Sequence, residues 1–208
     1  TLEEQTVTAT YAGTDKYNAS EDTITFTLEK GDVIVTVDEI AETAYGDNVT
    51  ITGKFTTSDG KAITNSNVKI TINGKKYYAK TDKTGTYTLS VKTTTVGENT
   101  ITAGYSGNTN YNAYETTATF NVKAADAVVT YEPISDVTLG ENVTITGTFT
   151  DANGKAVTNS NVKITINGKK YYAKTDSTGK YTLSVATTKE GVNNVTIGYS
   201  GSAKYNAF

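Results

Sequence analysis

Apolar side chains recur at every second position through most of the chain, in short runs that Gly, Asn and Asp interrupt. A period of two is the mark of a half-buried strand, and turn residues between the runs set the strand ends. In residues 31–123 the pattern predicts strands near 33–38, 48–56, 67–73, 75–81, 86–92, 99–105 and 115–122, and no helix. Asn73-Gly74 is the preferred pair for a two-residue type I′ turn, so Ile72 should lie opposite Lys75, Ile70 opposite Tyr77 and Val68 opposite Ala79, all facing the core. Val49, Ile51, Phe55, Tyr87, Leu89, Val91, Ile101, Ala103 and Tyr105 share that inward parity. The opposite parity puts Lys69, Lys76, Tyr78 and Lys80 in water.

The pattern repeats. Residues 64–82 are identical to residues 158–176, and 49 of the 68 positions in 47–114 match 141–208 at an offset of 94. The same offset carries YAGTDKYNA (11–19) onto YSGNTNYNA (105–113) and then onto YSGSAKYNA (199–207). Three copies are therefore sampled: 1–30 as the last two strands of one repeat, 31–123 as a whole repeat, and 124–208 as a repeat lacking its last strand. About seven short strands in roughly 100 residues is the pattern of an immunoglobulin-like sandwich. The expected fold is all-β, a tandem of immunoglobulin-like β-sandwiches of about seven strands each. Only Lys123–Asp126 separates the last strand of one repeat from the first of the next, too short a joint for free rotation, so a stiff rod in a longer array is expected. A sandwich without its last strand exposes backbone donors that invite another chain. Either the 208 residues belong to a continuous array, or strand 20–29, with Ile24, Phe26 and Leu28 on one face, adds beside Ile197 and Tyr199 of another copy, head to tail; in either case residues 1–30 should be ordered only through a neighbour.

Composition narrows the chemistry. The chain has no Cys, His, Met or Trp, which removes thiolate nucleophiles, disulfides, thiol-ligated zinc and the commonest general base. All 19 basic residues are Lys and the net charge is -3, a poor endowment for nucleic-acid binding. No apolar run is long enough to span a membrane. No enzyme activity, cofactor or metal is expected.

ENVTITGTFTDANGKAV (141–157), TDSTGKYTLSV (175–185) and GYSGSAKYNA (198–207) resemble bacterial-type Ig-like repeats, and more narrowly those in the large adhesin-like surface proteins of methanogenic archaea. The resemblance covers the whole chain. It implies an Ig-like sandwich, an extracellular place on the cell surface, and a stalk or fibre that projects a binding region. It supplies no catalytic residue.

Four features carry candidate chemistry. The face formed by Lys69, Lys76, Tyr78 and Lys80, with Lys163, Lys170, Tyr172 and Lys174 in the next repeat, could bind an acidic polysaccharide, Tyr stacking on sugar rings. The plainer reading is that outward Lys on an edge hairpin prevents sheet-to-sheet pairing. Internal covalent crosslinks are not expected: an ester needs a repeated Gln and the chain has only Gln5, while an isopeptide needs an inward Lys that VIVTVDEI (33–40) and AVVTYEPI (127–134) lack. The acidic turns at Asp151-Ala-Asn153-Gly154 and Asp82-Lys-Thr-Gly85 hold too few oxygens for calcium and read as turn caps; Asp32 and Asp126 are weaker cation candidates still. Asn-x-Ser/Thr triplets at Asn18, Asn48, Asn142 and Asn194 are candidate N-glycan acceptors, a short pattern that a Thr-rich chain also produces by chance. The expected function is a structural stalk segment. The alternatives are repeats that themselves bind wall or host polysaccharide, and a spacer in a wall-associated enzyme. Partners are neighbouring repeats and a carbohydrate or cell-surface ligand, with neither nucleic acid nor a membrane engaged by this segment.

Overall fold

The computed structural model describes residues 4–208; positions 1–3 of the segment 1–30 lie outside the described residues. Every regular element among them is a strand. β1 (Glu4–Tyr11) and β2 (Ser20–Thr27) form an antiparallel pair in which Val7 faces Ile24 and Gln5 faces Phe26. The whole repeat contains β3 (Val33–Val35), β4 (Thr43–Ala44), β5 (Asn48–Thr57), β6 (Asn67–Ile72), β7 (Lys75–Lys80), β8 (Thr86–Lys92), β9 (Gly97–Tyr105) and β10 (Tyr114–Lys123). Its sheets run β3-β5-β8 and β4-β10-β9-β6-β7. The following repeat contains β11 (Ala127–Val129), β12 (Asn142–Asp151), β13 (Asn161–Ile166), β14 (Lys169–Lys174), β15 (Lys180–Ala186) and β16 (Val195–Gly198), in sheets β11-β12-β15 and β14-β13-β16.

All seven strands expected in 31–123 are present, each within about three residues of its expected bounds. The additional one, β4, is two residues long and pairs in parallel with the end of β10, Thr43 facing Val122. β3 stops at Val35, although Thr36 and Asp38 go on donating to the Lys54 and Thr52 carbonyls. By contacts, the chain divides into two compact units, one of Thr1–Ala41, Val49–Val91 and Asn99–Phe120, the other of Glu42–Asn48, Lys92–Glu98 and Asn121–Phe208.

In the first unit Val35, Val49, Ile51, Phe55, Val68, Ile70, Tyr87, Ile101 and Ala103 are buried, and the Phe55 and Tyr105 rings lie 4.8 Å apart. In the second, Ile145, Phe149, Val162, Ile164, Ala173, Tyr181 and Tyr199 form the core, with Phe149 4.7 Å from Tyr199. The hairpin register is as expected: Ile72 faces Lys75, Ile70 faces Tyr77 and Val68 faces Ala79, around Asn73 and Gly74 with φ of 46° and 84°. Six inward assignments need correction. Lys75 is exposed, with its ammonium 5.2 Å from the Tyr77 ring centroid, because the sandwich has thinned out where the hairpin turns and a buried lone cation would be costly. Ile72 and Tyr105 are half-buried at strand ends, and Tyr77, Leu89 and Val91 are half-buried on the edge strands β7 and β8.

One feature of each sandwich is built around a missing Cβ. The Tyr87 hydroxyl donates to the Thr36 carbonyl over 2.5 Å, passing a Gly53 whose Cβ would fall 1.9 Å from that carbonyl oxygen. Tyr181, Thr130 and Gly147 repeat the arrangement, with a hydrogen bond of 2.6 Å.

Candidate functional site

The sandwiches present an outer sheet face on which the sequence-predicted Lys and Tyr meet. Strand pairing sets Lys69 beside Tyr78 and Asn67 beside Lys80, with Lys76 opposite Thr71. In the next repeat Lys163 lies beside Tyr172, Lys170 opposite Thr165 and Lys174 beside Asn161. Tyr78 and Tyr172 are 65% and 60% exposed, so each offers an open ring face. β7 and β14 are the edges of their sheets, and the Lys side chains they carry also stand where they would discourage pairing with a further strand.

On the first of these faces one lysine is paired. Lys69 donates to Glu115 Oε1 at 2.8 Å, and that hydrogen bond, reinforced by the carboxylate charge, raises the Lys69 pKa above its usual value. Glu115 belongs to β10. Sequence spacing gave no hint of the Lys69–Glu115 pair, whose members are 46 residues apart.

The acidic turns cap their own loops. Asp82 Oδ1 accepts from the Thr84 amide and hydroxyl, both at 2.7 Å, and from the Thr86 amide at 3.0 Å; Asp176 Oδ1 accepts likewise from Thr178 and Lys180. These bonds, the Thr84 and Thr178 hydroxyls first, lower both carboxyl pKa values below the usual range. Asp151 Oδ1 accepts from the Asn153 and Lys155 amides. Asp32 and Asp126 each accept from the Asn of a Tyr-Asn-Ala tail, Asn112 at 2.9 Å and Asn206 at 2.8 Å. The tail motif thereby clasps the first residues of its own repeat, as the bonds from Asn112 to Gly31 and from Asn206 to Ala125 also show. The four sequon residues, Asn18, Asn48, Asn142 and Asn194, are exposed, with Asn48 and Asn142 opening β5 and β12.

Sequence reasoning missed two hydrogen-bonded threonines in each repeat, all buried except the half-buried Thr187. Thr93 is buried, donates to the Ala44 and Asp47 carbonyls, and accepts from the Gly46 amide. Thr187 repeats this with Thr138, Glu141 and Gly140. Thr81 and Thr175 are buried at the hairpin base, their hydroxyls accepting from the Ser66 and Ser160 amides. Recurrence at offset 94 was the available signal, but in a chain with 43 Thr it did not single them out.

The β-sandwich geometry defines a class, and comparison with known proteins agrees. Residues 36–123 match the bacterial Ig-like domain (group 3) family. Among solved structures, invasin, described as a bacterial integrin-binding protein, is similar with a TM-score of 0.53 and 21% identity, over 83% of this chain and 37% of that one. The D0-D1 domain of intimin matches at a TM-score of 0.33 and 20% identity, over 84% of this chain and 95% of that one. A 1.5-MDa bacterial ice-binding adhesin matches at 0.35 and 16%, over 99% and 71%. The fold likeness rests on invasin, since the other two superpose too loosely to add to it. No curated protein sequence matches the chain. The chain is an all-β tandem of Ig-like sandwiches.

Proposed function

We propose that this chain is a load-bearing spacer in an extracellular, cell-surface adhesin-like protein, a stalk segment that holds a binding region away from the cell. The observation that carries this reading is the duplication, at a fixed offset of 94, of the sandwich core including its internal clamps, Tyr87 to Thr36 and Tyr181 to Thr130. Repetition of structural parts, rather than of a cleft with converging titratable groups, is what selection for reach and mechanical strength leaves behind. The string-level likeness to methanogen surface proteins supports the same setting. In this reading neighbouring repeats are the chain's partners. Exposed Asn18, Asn48, Asn142 and Asn194 would carry surface glycans. Lengthening or shortening the surface protein by one 94-residue repeat tests the proposal: the reach of the bound tip should change while its ligand affinity stays fixed. Loss of affinity on removing a repeat would refute it.

A second reading has one specific observation in its favour. Lys163 lies beside the exposed Tyr172, a cation next to an open aromatic ring, the pairing expected of an acidic-glycan platform. An array of acidic glycans probed with the chain and with its Tyr78→Ser/Tyr172→Ser variant decides it. Binding that the double change abolishes would establish the platform, and no binding by either would remove it.

A further inference from the structure

We propose that Asn73 and Asn167 are latent modification sites: the turn that each Asn-Gly pair builds holds its asparagine unreactive, and opening of the hairpin lets it cyclise into a permanent mark, aspartate or isoaspartate.

Asn-Gly is the pair most open to this chemistry, because glycine has no side chain to shield the nitrogen that must attack. The backbone nitrogen of Gly74 gives up its proton to solvent and attacks Asn73 Cγ. A bond forms between them, the Cγ–Nδ2 bond breaks, and Nδ2 leaves as ammonia, taking a proton back from solvent. Water then adds to one carbonyl of the resulting succinimide and breaks that carbonyl's bond to nitrogen. Opening at Cγ gives aspartate, and opening at the main-chain carbonyl gives isoaspartate. The sequence consumes one water, releases one ammonia and transfers no electrons.

Both hairpin tips are exposed, so water reaches them. The geometry is what holds the reaction back. Ring closure needs the glycine nitrogen eclipsed with the asparagine Cβ about the Cα–C bond. Asn73 has a φ of 46° and Asn167 one of 48°, followed by Gly74 at 84° and Gly168 at 85°, the left-handed pair of a type I′ turn. In that region ψ is roughly +47°, which sets the glycine nitrogen almost opposite Cβ, so no rotation of the side chain brings Cγ to it. The carboxamide is tied as well. Asn73 Nδ2 donates to Asn99 Oδ1 at 2.6 Å, and its Oδ1 accepts from the Thr100 amide at 3.0 Å. Asn167 repeats both bonds, with Asn193 Oδ1 at 2.6 Å and the Asn194 amide at 3.0 Å. The main-chain twist and the side-chain bonds must both be given up before the ring can close.

The chain carries its own contrast in a third Asn-Gly pair, Asn153-Gly154. Asn153 stands outside the left-handed region, and the Gly154 amide donates to the Asp151 carbonyl at 2.9 Å. Asn153 is thus the third residue of a type I turn, where ψ is roughly 0° and the glycine nitrogen stands roughly a third of a turn from Cβ, nearer to closure. Its Nδ2 donates to Asp47 Oδ1 at 2.7 Å.

The mark lasts because neither product rebuilds the clasp. A carboxylate has no N–H to offer Asn99 Oδ1. Isoaspartate routes the main chain through Cγ, one carbon longer, and a two-residue turn of that length no longer closes β6 on β7 in register. On the load-bearing reading above, the mark records which molecules of a pulled stalk have had a hairpin opened, although the chemistry itself does not depend on that reading.

Trypsin cuts both hairpins to the same peptide, ITINGK, so one measurement counts both sites, and the peptide ending at Lys155 reads Asn153. The whole chain is kept at mildly alkaline pH, folded or unfolded in urea, and mass spectrometry follows the conversion of each peptide with time, fragmentation separating isoaspartate from aspartate. In the folded chain the hairpin sites should convert more slowly than Asn153. They should also convert at least about tenfold more slowly than in urea, the factor that about 1.4 kcal/mol of opening free energy sets. In urea all three sites should react at comparable rates. Hairpin sites that convert in the folded chain as fast as in urea, or ahead of Asn153, would overturn the protection by the turn. No conversion of ITINGK in urea would overturn the sites themselves. Neither result bears on the load-bearing reading, which stands or falls on reach and force.

Discussion

The Tyr87 hydroxyl reaches across its sandwich to the carbonyl of Thr36, 2.5 Å away, where β3 has just ended. Its near-identical partner, Tyr181 to Thr130, shows that the bond belongs to the repeat and not to one accident of packing. Both phenols are buried, so each bond satisfies a carbonyl on the continuation of the first strand while anchoring the ring in the core. Tyr87→Phe keeps the ring and removes the donor. The expected cost is about 1–2 kcal/mol, and Tyr181→Phe should cost a similar amount. Urea unfolding of the single and double variants checks this, and the two costs should add, because the sites share no partner.

Alkaline titration reads the same pair. Burial pushes the Tyr87 pKa up to about 12, with the Asp38 charge adding to it, and burial alone does the same for Tyr181. A phenol whose folded pKa lies above its unfolded value of about 10 stabilises the fold fully below pH 10, and that stability drains away as the pH rises toward 12. Of the 15 tyrosines, these two should ionise last, together with loss of the near-ultraviolet circular dichroism signal. Absorbance of phenolate followed against pH would show it, and Tyr87→Phe should remove one late step.

Gly53 is fixed by close approach and not by a turn. An added methyl would lie 1.9 Å from the Thr36 oxygen and 2.6 Å from the Tyr87 hydroxyl, so Gly53→Ala must push the first strand away from β5. A loss of about 3 kcal/mol is expected, at the upper end for overpacking because the obstructing atom is backbone. Gly60→Ala, in a turn with open space around it, is the control for the local cost of replacing a glycine at positive φ.

Asp82 makes acid stability depend on one exposed turn. Its carboxyl pKa lies below the usual value because Thr84 and Thr86 donate to it, so its contribution is present above about pH 4 and is lost as the pH falls through the lowered folded value. Asp82→Asn should weaken the fold at neutral pH and flatten the fall in stability below pH 4. Thermal melts across pH 2 to 7 measure both effects. Asp176→Asn should behave alike in the second repeat.

Much of this architecture was legible because local chemistry forced it. Asn73-Gly74 admits one tight turn, and a one-residue slip would have turned Ile70 outward and Tyr78 inward, so the hairpin register followed from two residues. The 94-residue offset then carried that register to Asn167-Gly168. What could not be read was set by partners far away in sequence. β4 has no periodic pattern of its own and exists because the end of β10 lies beside it. The expectation that Lys75 points inward extended strict alternation to a position where the sandwich no longer encloses it. Of the candidate face, parity placed every Lys and Tyr on the correct side, but the capture of Lys69 by Glu115 depends on strand order, which alternation does not encode.

If the repeats bear load, a single chain pulled by its two ends in a force microscope will show it. The sandwich of residues 31–123 should resist and then yield in one discrete event that releases about 30 nm of contour length, as expected for its residues fully extended less their folded span. Tyr87→Phe should lower the force of that event without changing its length. Smooth extension at low force, with no event of that length, would contradict the claim.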